Sequence, residues 1–164
     1  MCHAQGAEMN TKKRTLARIG VLAGSVALSV IAATGAANAY TNDGTSPAST
    51  GCADDGTTVA SAPMKNAGGT QGTIELRYSL KCHTAWARLT LNYTQFACGN
   101  ASAGYACAAA TVTRNDDGRS YGCTISQGQS QCYTPQVYDK GMTSFAKGYI
   151  DIVSGEIQTR TAAY

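Results

Sequence analysis

The chain has 164 residues, of which 14% are charged, and its formal net charge is +3. This length supports one domain with a single hydrophobic core. The excess of positive charge lies near the N-terminus, so the rest of the chain gives no electrostatic reason to expect binding to nucleic acid or to an anionic membrane surface.

The first segment has the three parts of a secretory signal peptide. A basic cluster at Lys12 to Arg18 precedes the apolar run Ile19 to Ala33, and the triplet Ala37-Asn38-Ala39 matches a cleavage site. The apolar run is too short and too rich in small residues to favour a permanent membrane span. We therefore expect residues 1–39 to be removed, which leaves nine basic and nine acidic residues and no net charge.

Six of the seven cysteines remain after this cleavage. An even number of cysteines in an exported chain predicts a disulfide framework rather than a set of metal ligands. The chain contains no CxxC pair, so the cysteine spacing does not indicate a zinc or redox site. Each bridge stabilises a domain by about 2 to 4 kcal/mol. The spacing favours two short loops and one longer link, and the predicted pairs are Cys52 with Cys82, Cys98 with Cys107, and Cys123 with Cys132.

Residues 40–51 are polar, rich in Gly, Ser and Thr, and interrupted by Pro47. This composition predicts an extended N-terminal arm that lies outside the core. Residues 52–164 are predicted to form a single β domain. Its first segment, Cys52 to Met64, is either a strand or a short helical turn, and a turn follows at Lys65 to Gly72.

The longest alternation of apolar and polar residues begins at Gly72 and continues to Thr90. The apolar signal resumes at Trp86 after a short polar break, so the pattern predicts two half-buried strands joined by a tight connection. The chain has one tryptophan, which we expect to be a core anchor, with a ligand platform as the alternative. The apolar positions of the first strand are Ile74, Leu76 and Tyr78.

Short strands separated by turns are predicted for the remainder of the chain. Ala108 to Val112 is one strand, and Tyr121 to Ser126 and Cys132 to Tyr138 are two strands joined by a tip at Gln127 to Gln131. Tyr149 to Thr159 alternates strongly and is either one bulged strand or a tight hairpin. About seven or eight short strands without a long helical period indicate an all-β fold, a small disulfide-stapled β-sandwich or barrel-like domain.

The sequence contains no recognisable catalytic set. His83 is the only histidine left after cleavage, so it cannot build a multi-histidine metal site, and no nucleophile signature accompanies it. The acidic pairs Asp54-Asp55 and Asp116-Asp117 are each followed by Gly, which favours turns over a pair of glycosidase carboxylates. We expect no enzymatic activity, no cofactor and no metal.

Tyrosine is over-represented among the aromatic residues, with nine Tyr, two Phe and one Trp. Tyr121, Tyr133 and Tyr138 lie around the predicted Cys123 to Cys132 loop. Tyrosine offers a large contact area and a polar tip, which suits a recognition surface. The alternative is that these rings only cover the edges of a small sandwich.

Three stretches of the chain carry a family resemblance: GCADDGTTVAS, TIELRYSLKCHTAWARLT and CYTPQVYDKGMTSFAKGYID, which together cover most of Gly51 to Asp151. On these stretches the chain resembles the secreted bacterial family DUF2690, most specifically at ELRYS-x-x-C-x-T-A-W-A-R and C-Y-T-P-x-V-Y-D. The cysteines that match the family pattern are Cys52, Cys82, Cys123 and Cys132, and the pair Cys98 and Cys107 has no place in that pattern.

The resemblance implies a non-enzymatic secreted adaptor in a large, umbrella-shaped antibacterial toxin particle. Such an adaptor bridges the repeat-built stalk of a polymorphic toxin and a lectin-bearing subunit with a degenerate trypsin-like domain. From the absence of net charge after cleavage and the short apolar run, we also expect no nucleic-acid partner and no membrane span. The alternative is a small cell-wall or carbohydrate-binding module that uses Tyr and Trp as stacking platforms.

Two patches are predicted to bind the partners. The arm has free backbone groups that can add to a partner's sheet or lie in a cleft, and its predicted contact residues are Tyr40, Thr41, Asn42, Asp43 and Thr45. The disulfide restricts the conformations of the closed loop before binding, which lowers the entropic cost of ordering it in a complex. The alternative is that the bridge only protects the loop against proteases. Its predicted contact residues are Tyr121, Thr124, Ile125, Gln127, Gln129 and Tyr133.

Overall fold

The longest alternation of apolar and polar residues forms a pair of antiparallel strands. The structure is a computed structural model that describes residues 40–95, 107–152 and 155–164, which belong to one compact unit. The described residues contain no helix. The strands are β1 (Thr57–Asn66), β2 (Gly69–Ser79), β3 (Thr84–Leu91), β4 (Ala109–Arg114), β5 (Ser120–Thr124), β6 (Gln131–Tyr133), β7 (Val137–Tyr138), β8 (Ser144–Ile152) and β9 (Gly155–Arg160).

The strands form two sheets that pack against each other. The first sheet has the order β1-β2-β3-β6, with β7 also paired to β3, and the second sheet has the order β5-β4-β8-β9. All neighbouring strands are antiparallel. The predicted all-β, sandwich-like fold is therefore confirmed.

The predicted pair of strands is the centre of the first sheet. In the antiparallel register of β2 and β3, Ile74 lies opposite Leu89 and Leu76 lies opposite Ala87. All four side chains are fully buried in the core between the sheets. Because side chains alternate along a strand, the odd-numbered residues of β2 and the even-numbered residues of β3 face away from this core.

The two sheets approach closely at a glycine. A Cβ atom on Gly148 of β8 would lie 2.6 Å from the Sδ atom of Met64 on β1, so a larger residue here would require the Met64 side chain to move. The fully buried aliphatic side chains that fill the core include Met64, Ile74, Leu76, Leu89, Val112, Ile125, Val137 and Ile150.

The C-terminal alternation forms a hairpin rather than one bulged strand. β8 and β9 are antiparallel, with Ile150 opposite Ile157 and Ile152 opposite Gly155. Residues 153–154 lie outside the described residues. Of the two alternatives for Tyr149 to Thr159, the tight hairpin is correct.

The prediction that two strands at Tyr121 to Ser126 and Cys132 to Tyr138 are joined directly by a tip at Gln127 to Gln131 is wrong. β5 lies at an edge of the second sheet and β6 lies in the first sheet, so residues 125–130 cross from one sheet to the other. The crossing is fixed by backbone hydrogen bonds, because Leu91 donates to Ser130 (2.7 Å) and Gln95 donates to Gln129 (2.8 Å). These bonds attach the crossing segment to the end of β3.

The prediction of an extended N-terminal arm is also wrong. Residues 41–55 form successive turns, apart from short breaks at 45 and 46. They are bonded to the segment between β6 and β7, since Gly44 donates to the carbonyl of Gln136 and Gln136 donates to that of Thr45, both at 2.9 Å. The backbone of the N-terminal turns thus finds hydrogen-bond partners far away in the sequence.

Among the described residues, no helix is long and apolar enough to cross a membrane. Within the same residues, no group of three or more His, Cys, Asp or Glu side chains is placed to hold a metal ion.

Candidate functional site

A concave site lies on the outer face of the first sheet, and we call it the groove. Its floor is made by neighbouring strands, because Arg77 on β2 lies opposite Trp86 on β3, and Arg88 on β3 lies opposite Tyr133 on β6. Alternation along each strand places these four side chains on the face that points away from the core. The groove has a volume of about 270 Å³, and its lining residues are Ser46, Pro47, Ala48, Ala53, Arg77, Trp86, Arg88 and Tyr133.

The N-terminal turns form the wall of the groove. The disulfide between Cys52 and Cys82 ties this wall to the connection between β2 and β3. The wall approaches the floor so closely that a Cβ atom on Gly56 would lie 2.6 Å from Cη2 and Cζ2 of Trp86. The groove is therefore built by long-range packing of the N-terminal segment on the sheet.

Trp86 is 2% exposed, which agrees with its expected role as a buried anchor. Its position differs from the expectation, because it lies outside the apolar cluster between the sheets and is covered by the N-terminal turns. Tyr133 is 46% exposed and is the most accessible aromatic ring of the groove. A flat ligand would therefore reach the ring of Tyr133 but not the face of Trp86.

The charged groups of the groove are partly paired. Arg88 forms a two-pronged ion pair with Glu75, in which Nε donates to Oε2 and Nη2 donates to Oε1 at 2.7 Å. Burial opposes ionisation of Glu75, but the hydrogen bonds from Arg88 and Thr58 outweigh it, so the pKa of Glu75 lies below its ordinary value. Arg77 donates instead to the Thr58 hydroxyl (2.8 Å) and to the backbone carbonyl of Gly56.

A second, shallower depression lies on the outer face of the second sheet, and we call it the trough. Small side chains on β4 leave room beside longer ones on β8 and β9. Its volume is about 220 Å³, and its lining residues are Ala109, Ala110, Thr111, Lys147, Tyr149 and Gln158. Since the groove and the trough lie on the outer faces of opposite sheets, they face away from each other.

The predicted arm residues belong to the fold. Asp43 forms a buried ion pair with Arg114, with side-chain exposures of 8% and 0%. Tyr40 stacks on Tyr138 with ring centroids 5.3 Å apart, and the Arg114 guanidinium lies 4.5 Å from the centroid of the Tyr40 ring.

The other predicted arm residues are also held in turns. Thr45 accepts a hydrogen bond from the Gln136 side chain (3.0 Å). Asn42 has a positive φ of 72°, and its carbonyl accepts hydrogen bonds from the backbone and the hydroxyl of Thr45. Thr41 is an exposed turn residue.

The predicted loop residues do not form one surface. Ile125 is fully buried in the core, so it cannot contact a partner, and its backbone N–H donates to Ala108 (2.8 Å). Tyr121 packs against the core, while Thr124, Gln127 and Gln129 are exposed. Of the predicted loop contacts, only Tyr133 lines the groove.

The structure joins Cys52 with Cys82 and Cys123 with Cys132. The second bridge links β5 to β6 and therefore links the two sheets, instead of closing a hairpin end. Cys107 is also disulfide-bonded. Cys98 lies outside the described residues, so the pair Cys98 with Cys107 stays a prediction.

The sequence interpretation missed Arg77, Arg88 and the groove wall. The sequence did contain one signal for the groove floor, because two polar positions in the alternation of β2 are charged. These residues are Glu75 and Arg77, which lie opposite Arg88 and Trp86 of β3. The wall gave no comparable signal, since nothing local in residues 46–53 indicates that they cover a sheet.

The comparisons with known proteins agree with the sequence resemblance. A family model described as "Protein of unknown function (DUF2690)" matches residues 40–147. The chain is 36% identical over 137 residues to "Uncharacterized protein YjfA" of Bacillus subtilis (strain 168), covering 78% of this chain and 83% of that protein. No solved structure matches the chain.

Proposed function

This chain belongs to the DUF2690 family, and from this membership we propose that it is a non-enzymatic secreted adaptor of an antibacterial toxin particle. The adaptor bridges a polymorphic toxin with a stalk of repeats and a lectin-bearing subunit with a degenerate trypsin-like domain. Each partner is itself a secreted protein, so the adaptor works outside the cell.

The groove is the observation that carries this proposal. Its floor contains the exposed ring of Tyr133 and two arginines, residue types that are enriched at the energetic centres of protein interfaces. Two hydrogen-bonded strands and a disulfide-tied wall hold these groups in place before binding. A surface that is ordered in advance loses less conformational entropy on association.

The opposed positions of the groove and the trough support a bridging role. Each depression lies on the outer face of a different sheet. One partner at each face leaves the other face free, which an adaptor between two larger proteins requires. In place of the arm and the disulfide-closed loop, we therefore propose these two faces as the binding surfaces.

The disulfide framework supports secretion. The bridges Cys52–Cys82 and Cys123–Cys132 form and persist in oxidising compartments, and they are rare in the reducing cytosol. The predicted signal peptide at residues 1–39 is the route of export that we propose.

The test is to recover the tagged full-length protein from the culture fluid of the producing bacterium and to identify the bound proteins by mass spectrometry. We expect a large repeat-containing toxin and a lectin-bearing protein. The variant Tyr133→Ala in the groove should lose one of them, and Tyr149→Ala beside the trough should lose the other.

Tyr93→Ala is the matched control, because Tyr93 is an exposed tyrosine that lines neither depression. This control should retain both partners. Recovery of neither partner, together with retention on peptidoglycan or chitin that Tyr133→Ala abolishes, would replace the adaptor with a cell-wall or carbohydrate-binding module.

A further inference from the structure

The positive charge in the groove is not fully compensated. Arg88 is neutralised by its ion pair with Glu75. Arg77, on the neighbouring strand, directs its hydrogen bonds to a hydroxyl and to a backbone carbonyl, both of which are neutral. The eight lining residues include two arginines and no acidic residue.

Arg77 also has an unused donor. Its Nε atom is buried and has no hydrogen-bond partner. A buried donor without a partner costs about 1 to 3 kcal/mol, so this guanidinium is not fully satisfied by the chain itself. A guanidinium matches a carboxylate better than any other protein group, because its planar set of N–H donors can bond both oxygens.

The remaining lining is apolar. Pro47, Ala48 and Ala53 form one side, and the rings of Trp86 and Tyr133 form another. A volume of about 270 Å³ lies just below the range of small-molecule pockets, which is about 300 to 1,000 Å³. This space suits one or two side chains of a protein segment, one of them acidic and one apolar.

We propose that the groove binds an acidic segment of a partner protein, whose Asp or Glu carboxylate pairs with Arg77 while an adjacent apolar side chain packs against Tyr133 and Ala48, the exposed apolar residues of the lining. This inference rests on the proposed protein-binding function and names the chemistry that one partner presents. A neutral sugar gains nothing from the charge of Arg77, and the face of Trp86 is covered.

The single tryptophan makes the proposal measurable, since Trp86 lies at the floor of the groove and its fluorescence reports on this site alone. The probes are two peptides, acetyl-Gly-Leu-Asp-Leu-Gly-amide and the same peptide with Asn in place of Asp. The Asp peptide should shift the Trp86 emission with a Kd at least about tenfold lower than that of the Asn peptide. Added salt should reduce this difference.

Two pairs of variants identify the residues that cause the preference for the Asp peptide. Arg77→Gln should abolish the preference for the Asp peptide, whereas Lys140→Gln, which removes an exposed charge outside the groove, should retain it. Ala48→Glu places a negative charge at the exposed wall and should weaken binding of the Asp peptide, while the equally long Ala48→Gln should not. The Ala48 pair keeps the test valid if Arg77→Gln fails to fold.

The proposal is overturned if both peptides bind equally, if neither binds, or if a chitin oligosaccharide shifts the Trp86 emission and the peptides do not. Its failure is separable from failure of the adaptor function. If the wild-type protein captures its partners from culture fluid and Arg77→Gln captures them equally well, the adaptor stands and the acidic segment does not. If the wild-type protein captures no partner, the adaptor function itself is wrong.

Discussion

Asp139 is a buried carboxylate that is only half satisfied. It is 4% exposed, its Oδ1 accepts a hydrogen bond from the Ser144 hydroxyl at 2.8 Å, and its Oδ2 has no partner. Burial raises the pKa of Asp139 to about 6, although the Ser144 hydrogen bond and the charge of Arg114 act in the opposite direction. The folded protein therefore holds a proton at pH values where the unfolded chain has released it.

This raised pKa predicts the direction in which the free energy of unfolding changes with pH. Between about pH 4 and pH 6 the folded state binds more protons than the unfolded state, so the free energy of unfolding falls as the pH rises, by at most about 1.4 kcal/mol per pH unit. Asp139→Asn removes this ionisation and should flatten the slope in that window. Urea unfolding measured at several pH values checks the difference.

Asp54→Asn is the control, because it removes an exposed carboxylate from a turn and should leave the slope unchanged. A carboxylate whose pKa is lowered in the folded state affects the free energy of unfolding in a different pH range. The hydrogen bond from Arg114 lowers the pKa of Asp117 to about 2, so its contribution is present above about pH 4 and is lost as the pH falls further. An unchanged slope in Asp139→Asn would show that Asp139 titrates normally.

At the scale of elements, the N-terminal turns are locked to β4 by one buried cation. Arg114 donates to both oxygens of Asp43 at 3.1 Å, to the carbonyl of Tyr138 at 2.9 Å and to Asp117 at 2.6 Å. The hydrogen bonds that Arg114 donates to Asp117 and Asp43 raise its pKa. Asp43 additionally accepts from the backbone N–H of Tyr138, so it joins the N-terminal segment to β7 as well.

Breaking this pair should be costly, because the remaining charge stays buried. Arg114→Met is expected to lower the free energy of unfolding by about 3 to 5 kcal/mol. The double variant Arg114→Met with Asp43→Asn should be less destabilised than the sum of the two single variants. Chemical denaturation of all three variants measures this coupling.

Arg119→Met is the matched control, since Arg119 is exposed in the adjacent turn. It should change stability by no more than about 0.5 kcal/mol. Additive effects of the two single variants would mean that the N-terminal turns are not held by this ion pair.

At the scale of the whole molecule, the bridge Cys123–Cys132 ties one sheet to the other. The two cysteines are nine residues apart, yet they belong to strands of opposite sheets. The bridge therefore limits separation of the layers and also fixes the segment that leads to Tyr133 in the groove.

Replacing both Cys123 and Cys132 by Ser should lower the free energy of unfolding by about 2 to 4 kcal/mol. Because the bridge connects the layers, the melting transition should move as a whole instead of showing early loss of one loop. Thermal unfolding followed by far-ultraviolet circular dichroism tests this expectation. An unchanged melting temperature would show that core packing alone holds the sheets together.

Much of the fold could be predicted from local patterns. The alternation through Ile74 and Leu76 predicted β2 and its pairing with β3, and the turn residues between strands predicted an all-β domain. The hairpin of β8 and β9 was one of two alternatives, because a period of two does not show where a strand reverses. The covered position of Trp86 could not be predicted, since it depends on the N-terminal turns that pack over it.

By itself, the sequence determined the central pair of strands, which residues of that pair face the core, and the resemblance to the family. These are local properties, set by side-chain alternation and turn chemistry within a few residues. Only the tertiary structure decided that β5 and β6 join different sheets, that Asp43 is buried against a partner 71 residues away, and that Arg77, Trp86 and Tyr133 share one groove. The physical reason is that sheet membership and buried charge pairs depend on contacts between distant segments, which no local pattern specifies.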